Sequence, residues 1–293
     1  MKTAFYGKTL AKSNVDHVQK LARLVEKESD TIYIYDKYYS VIKEQIHFNN
    51  KIELFHHHEE IKGKVDYLLS IGGDGTLLDS VPLVRDSGIP IMGINVGRLG
   101  FLSSVSKDDI DIAVESLKYE TFELDTRCLL HLDTRDNLFG DLNFALNELT
   151  ISRKDSANLI ITHVWIDGVL LNSYWADGLI ISTPTGSTAY SLSSGGPIIM
   201  PSANCFVITP LAAHNLTVRP FVIPDNCEIR IRVEGREDQY LVSLDSRSEI
   251  IDSSVELNVK KEGFKVNLIR IPNKHFLNTI REKLQWGLDI RNH

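Results

Sequence analysis

The chain has 293 residues, 43% of them hydrophobic and 24% charged, and a formal net charge of −7. That length fits two domains or one large one, and the composition is that of an ordinary globular protein. The acidic balance argues against a general nucleic-acid binder, which needs a basic surface, whereas a small phosphorylated ligand needs only local positive potential. No apolar run approaches the ~18–20 residues that span a bilayer, and the start Met1-Lys2-Thr3-Ala4-Phe5-Tyr6-Gly7 reads as strand-like rather than as a signal peptide. Three unclustered cysteines, Cys128, Cys205 and Cys227, show no metal spacing. A cytoplasmic location is expected.

In chain order, Thr3–Tyr6 reads as a strand and Val15–Glu28 as a helix, with Val15, Val18, Leu21, Leu24 and Val25 at helical spacing. Thr31–Tyr35, Val65–Ile71 and Ile89–Ile94 supply further strands, and Ser106–Asp109 resembles a capping box before a helix at Ile110. Strands alternating with helices predict an open, mostly parallel sheet, whose ligands sit beyond the carboxyl ends of the strands. Gly72-Gly73-Asp74-Gly75-Thr76 falls at such an end. Glycines there leave backbone N–H groups open to phosphate oxygens, and a helix beginning at Thr76 adds its dipole. A carboxylate beside phosphates is repelled unless it has a task, so Asp74 is either a metal-side ligand or a base aimed at a hydroxyl. The competing reading is a tight turn with Asp74 as helix N-cap.

After about residue 122 the pattern becomes predominantly β. Phe122–Leu132, Leu142–Ser152 and Asn158–Ile166 are apolar and β-branched, and Asp167-Gly168 before Val169–Tyr174 signals a two-residue hairpin. Glu228–Val233, Tyr240–Leu244 and Val255–Val259 continue the theme, and Asn273–Trp286 turns helical again. Within this half, Thr183–Pro197 is a run of small, hydroxylated and glycine residues that suits a polar, planar ligand, or else forms a glycine-rich connection with satisfied hydroxyls. Asp177 is a candidate acceptor for ribose hydroxyls or an amide. Asn147-Glu148, after Phe144-Ala145-Leu146, either reads a base edge or ribose pair or is simply exposed.

These three elements, in this order, resemble the NAD kinase family, also called ATP-NAD or polyphosphate-NAD kinases. The similarity runs from about Asp66 to Trp286 and includes Asn95–Leu102, Pro210–His214, Arg219-Pro220 and Asn278–Leu284. The glycine–aspartate turn alone is shared with diacylglycerol, sphingosine and phosphofructokinase relatives; the Thr183–Pro197 block narrows the match. The resemblance implies a Rossmann-like α/β domain over residues 1–122 and a β-rich, β-sandwich-like NAD-binding domain over 123–268. A helical tail over 269–293 is expected to pack back on the first domain.

The resemblance further implies phosphoryl transfer from ATP, or another donor such as polyphosphate, to the 2′-hydroxyl of the adenosine ribose of NAD, giving NADP. Asp74 would be the general base, with Gly72, Gly73, Gly75 and Thr76 forming the phosphate-facing turn and Gly75 also beside the dinucleotide. Phe101 would pack against NAD, and Asn147 and Glu148 would hold its ribose and base. Asp177 would contact the nicotinamide end, bordered by Trp175, while Thr188, Ala189, Tyr190 and Ser193 would line the adenine and ribose pocket. Mg²⁺ or another divalent cation would arrive mainly with the donor, without a dedicated protein ligand set. Relatives imply a homodimer or homotetramer, with no nucleic-acid or membrane partner. Two positions depart from the pattern: Trp175, where relatives often carry a basic or small residue, and Arg247, where they often carry glutamine. A cation at the latter would add phosphate affinity, as a ligand contact, or reach across a subunit boundary.

Other signals are discounted. Gly7-Lys8-Thr9 lacks the upstream glycine of a Walker loop. His56–Glu60 reads as a solvated segment more than a metal site, and His214 as a pocket residue or a capped core histidine. The alternatives to an NAD kinase are a kinase of the same turn type acting on a lipid or sugar, and a non-catalytic dinucleotide sensor. The first lacks an acyl cleft or arginine cluster in the sequence, and the second would be marked by a substituted Asp74.

Overall fold

The short apolar runs of the first third become parallel strands in the computed structural model, which describes residues 1–97, 100–103, 105–154, 159–236, 239–272 and 274–286. Arg98 and Leu99 of the Asn95–Leu102 motif, Asn158 of the Asn158–Ile166 run, and Asn273 and residues 287–293 of the expected tail lie outside the described residues. Strands β1 (Thr3–Gly7) and β5 (Ile91–Asn95) are buried at every position. Continuous apolar runs of this kind belong to the centre of a parallel sheet covered on both faces. Between them come α1 (Val15–Glu26), β2 (Thr31–Tyr35), α2 (Asp36–Ile42), β3 (Lys51–Phe55), α3 (His58–Ile61), β4 (Tyr67–Ile71) and α4 (Asp74–Val84). After β5 follow the two-residue β6 (Val105–Ser106), α5 (Ile110–Lys118) and β7 (Glu123–Arg127).

Helix α1 buries Val18, Leu21, Ala22 and Val25, an i, i+3, i+4, i+7 stripe; of the expected face Val18, Leu21 and Val25 are buried, Val15 and Leu24 are partly buried, and Ala22 is an addition. The strand over 51–55 and the helix over 36–42 are additions to the expected elements. In β3 only Phe55 is buried, although Ile52 and Leu54 are apolar too. Of the run His56–Glu60, only His58–Glu60 enter α3, with His57 as its N-cap; His58 is buried, its Nδ1 3.0 Å from the Leu83 carbonyl and its Nε2 3.2 Å from Asp86.

From Arg127 the chain builds a second unit, Arg127–Lys265. Its strands are β8 (Leu130–Asp133), β9 (Phe144–Ala145), β10 (Glu148–Arg153), β11 (Ile160–Ile166), β12 (Val169–Ala176) and β13 (Gly178–Ser182). After the short helix α6 (Tyr190–Ser193) come β14 (Cys205–Leu211), β15 (Phe221–Pro224), β16 (Ile229–Glu234), β17 (Tyr240–Leu244), β18 (Arg247–Ile251) and β19 (Leu257–Lys261). They form two six-stranded sheets, β15-β14-β13-β10-β17-β18 and β12-β11-β16-β19-β8-β9. One apolar core draws on both, including Leu149, Ile181, Phe206 and Val242 from the first and Val164, Ile231, Leu257 and Leu132 from the second. This is the expected sandwich. The hairpin at Asp167-Gly168 has φ of 48° and 81°, the left-handed pair that a two-residue turn between twisted strands requires.

The chain then returns. Strand β20 (Val266–Arg270) pairs parallel to β5 through Leu268 and Ile91, and α7 (Phe276–Leu284) follows. Met1–Thr126 and Val266–His293 together make the first unit. Its sheet runs β3-β2-β1-β4-β5-β20-β7, with β6 also on β5. Among the described residues no helix is long and apolar enough to cross a membrane.

Candidate active site

In the first unit, β4 ends at Ile71 and the Gly72 N–H still donates to the Ile94 carbonyl at 2.9 Å. Gly73 is the N-cap of α4, so the helix begins at Asp74, two residues earlier than the sequence suggests. Asp74 therefore stands in the first turn, where the helix dipole favours a carboxylate, and is not itself the cap. Its side chain reaches the loop after β5 instead. Oδ2 accepts the Phe101 N–H at 2.6 Å, and Oδ1 accepts those of Leu102 and Ser103 at 3.1 and 2.9 Å. A β-carbon on Gly100 would lie 1.8 Å from Asp74 Oδ1, so this approach needs glycine. A carboxylate offers roughly four lone-pair sites, and these three donors leave about one for a hydroxyl. Gly73 and Gly75 face open space. Phe101 thus joins the turn through its backbone, while its ring lies 5.4 Å from the Lys283 ammonium of α7.

In the second unit, Asn147 and Glu148 sit where β10 begins. They are not an exposed dipeptide: Asn147 is 6% exposed, and Asn147 Oδ1 and Glu148 Oε2 are both buried without a hydrogen-bond partner. Buried polar atoms are normally paired, so two orphans side by side point to a ligand that supplies their partners. The backbone around them is gripped throughout. Asp245, at the β17–β18 turn with φ of 52°, accepts the N–H groups of Leu146, Asn147 and Glu148 at 2.8, 2.9 and 3.2 Å. Thr183 returns two bonds, its N–H to the Asn147 carbonyl at 2.8 Å and its hydroxyl to that of Leu146 at 2.6 Å. Gly186 lies so close that a β-carbon would sit 2.2 Å from the Asn147 carbonyl oxygen.

The Thr183–Pro197 block is accordingly an ordered wall beside Asn147-Glu148. Thr188 bonds back to Thr185 at 3.2 Å, Ala189 leads into α6, and Tyr190 and Ser193 are exposed. The Tyr190 N–H donates to the Glu148 carboxyl. Burial, and then the neighbouring Asp245 charge, push Glu148 up to about 8 against that single amide. Burial raises Asp245 as well, opposed by its amide donors and by Arg247. The Arg247 guanidinium donates to the Leu142 and Phe144 carbonyls and lies 5.2 Å over the Phe144 ring. Its visible task is to hold the segment that leads into Asn147.

Asp177 stands apart from this corner. Register pairs Glu148 with Ser182 at one end of β10 and Ser152 with Gly178 at the other. Five residues of strand put Arg153 about 17 Å from Glu148. Arg153 meets Asp177 with two 3.1 Å contacts, a paired arrangement of guanidinium and carboxylate. Trp175 is 56% exposed, and its carbonyl accepts the His214 N–H at 2.9 Å. His214 itself is exposed, which removes the core-histidine reading. Sequence reasoning did not single out Arg153 or Asp245 as parts of the site, nor, within the Thr183–Pro197 block, the anchoring role of Thr183. Their partners lie 24, 37 and 97–99 residues away, and no local pattern announces them.

A glycine-lined turn after a parallel strand, with a carboxylate fixed in it, and a sandwich corner with unpartnered polar atoms define a nucleotide-handling phosphotransfer protein. The family model for the ATP-NAD kinase N-terminal domain matches residues 4–122, and that for the ATP-NAD kinase C-terminal domain matches 146–271. The chain is 46% identical over 294 residues to the NAD kinase of Flavobacterium psychrophilum, covering 100% of both. It is 44% identical over 297 residues to that of Cytophaga hutchinsonii, covering 99% of each. The chain belongs to the NAD kinase family. Its fold is shared with yeast NADH kinase complexed with NADH, at a TM-score of 0.86 and 23% identity, covering 100% of this chain and 90% of that one. An NAD kinase from Archaeoglobus fulgidus in complex with ATP has a TM-score of 0.73 and 23% identity, covering 98% and 100%.

Proposed function

We propose that the chain catalyses transfer of the γ-phosphoryl group of ATP to the 2′-hydroxyl of the adenosine ribose of NAD, releasing NADP and ADP. The observation that carries this is Asp74: a carboxylate fixed by three amides, with accepting capacity left over, beside the open Gly73 and Gly75. The 2′-oxygen attacks the phosphorus in line as the bond to the ADP oxygen breaks, and its proton passes to Asp74. Backbone N–H groups of Gly73, Asp74 and Gly75 face the transferred charge, whereas those of Gly72 and Thr76, expected from the sequence to do the same, donate to the Ile94 and Gly73 carbonyls. Asn147 and Glu148 hold ribose and base, with Thr188, Ala189, Tyr190 and Ser193 beside them and Phe101 against the dinucleotide. Asp177, fixed by Arg153, serves the nicotinamide end.

Among the described residues no three histidine, cysteine or acidic side chains converge as a metal cage. A Mg²⁺ ion arriving with ATP would be held chiefly by its phosphates and water. When bound, such an ion supplies charge neutralisation on the donor. The same reading gives the protein a cytoplasmic location, in keeping with three free cysteines, and a homodimeric or homotetrameric state on family resemblance.

The test is incubation with NAD, ATP and Mg²⁺, reading NADP with an NADP-specific dehydrogenase, and repeating with other triphosphates and polyphosphate as donors. NADP formation is the expected result. Binding of NAD without turnover would point to a sensor, and binding of neither nucleotide would overturn the assignment.

A further inference from the structure

Glu148 and Asp245 form a pair of carboxyl groups with unequal hydrogen bonding. Asp245 accepts three backbone N–H bonds from consecutive residues and feels Arg247 behind it. Glu148 receives the single N–H of Tyr190, and its Oε2 is buried without a partner. Two neighbouring enclosed carboxyl groups do not both carry charge cheaply. Amides donate to an anion and have nothing to offer an acid proton, so the charge belongs on Asp245 and the proton on Glu148. The charge acting on Glu148 is that of Asp245; Arg247 acts on Asp245, with its guanidinium engaged with the Leu142 and Phe144 carbonyls. From the side of α6 it meets a backbone N–H.

We propose that Asp245 is a positioning residue that presents Glu148 to NAD as a hydrogen-bond donor, with Asn147 Oδ1, likewise buried without a partner on the adjacent residue, as the acceptor. The corner then complements a ligand edge carrying an acceptor next to a donor, as a ring nitrogen and exocyclic amine of adenine do. The sequence alone leaves a base edge and a pair of ribose hydroxyls equally open for Asn147-Glu148 and does not say which group carries the proton. This inference rests on the reading that the corner binds NAD. The burial that raises Glu148 to about 8 supports it and sets the range in which it is tested.

The experiment is calorimetric titration with NAD between pH 6 and 9.5, on the full chain and on Glu148→Gln, Glu148→Ala and Asp245→Asn, with NADP formation followed in parallel. For the unmodified protein the dissociation constant should be flat at low pH and rise toward tenfold per pH unit above about 8, as the donor proton is lost. Glu148→Gln, which keeps a donor, should lack that step and bind NAD at least tenfold more tightly than Glu148→Ala at pH 7. Asp245→Asn should move the step to lower pH, whereas a purely structural role would weaken binding equally at every pH. Affinity that is constant or improves with pH, a step that persists in Glu148→Gln, or a Gln variant no better than Ala would overturn the proposal. Should Asp245→Asn fail to fold, the unmodified chain and the Glu148 variants still decide it. If no NADP forms and no NAD binds, the functional reading has failed instead.

Discussion

Asp74 does two things at once: it occupies the first turn of α4 and ties down Phe101, Leu102 and Ser103. Asp74→Asn should therefore lower turnover by about 10²–10⁴-fold, the usual cost of losing a general base, while NAD affinity stays within a few-fold. Because an amide NH₂ cannot accept an N–H, hydrogen exchange at residues 101–103 should quicken in the same variant. A variant with normal turnover rules out the base assignment. Gly100→Ala tests the geometry separately. Its β-carbon has no room beside Asp74 Oδ1, so turnover should fall at least tenfold with little change in far-ultraviolet circular dichroism.

Glu148 gives a residue-scale stability prediction as well. Its folded-state carboxyl is raised from 4.5 to about 8, so between those values the folded state binds more protons than the unfolded one. Its contribution to stability is then present at low pH and lost as pH climbs through that window. Glu148→Gln should gain melting temperature relative to the unmodified chain as pH rises from 5 to 8; a pH-independent difference would contradict this. Asp74 was legible because three glycines around one acid are rare and local. The part played by Asp245 was not, since its bonds to Leu146–Glu148 cross 97–99 residues of chain.

At the scale of elements, the wall formed by residues 183–190 is seated on Asn147 through Gly186. Gly186→Ala must push that wall away by an ångström or more. The expected result is a KM for NAD raised at least tenfold with a smaller change in kcat, read from initial rates. Equal loss in both would mean that the wall acts on chemistry and not on binding. Elements with a two- or 3.6-residue period, such as β17 and α1, could be read from sequence. So could the Asp167-Gly168 hairpin, whose turn demands left-handed residues. Strand β3 was missed although Lys51-Ile52-Glu53-Leu54 alternates, because the run is only five residues long and lies beside the polar stretch His56–Glu60. Strand β14, buried at six of its seven positions, contains Pro210, which argues locally against a strand.

At the scale of the molecule, alternation of strand and helix was enough to foresee a parallel sheet, and the change near residue 122 to foresee a β-rich half. The return of β20 was hidden. Val266–Arg270 has the same half-buried pattern as the sandwich strands before it, and only its pairing with β5 distinguishes it. A chain ended after Lys265 would lose the strand between β5 and β7 together with α7. It should lose the cooperative thermal transition of the first unit and aggregate, as judged by calorimetry and light scattering. A truncated protein that melts like the full chain would show that β20 is dispensable.

The discontinuity of the first unit also orders events at the ribosome. At about 5–20 residues per second, synthesis of the ~140 residues from Arg127 to Lys265 occupies roughly ten seconds or more. Throughout that interval β5 waits with an open edge, and the sandwich, whose strands are all in hand sooner, can finish first. A nascent chain arrested before Val266 emerges should thus offer chaperones the flank of the parallel sheet, although its codons were read earliest.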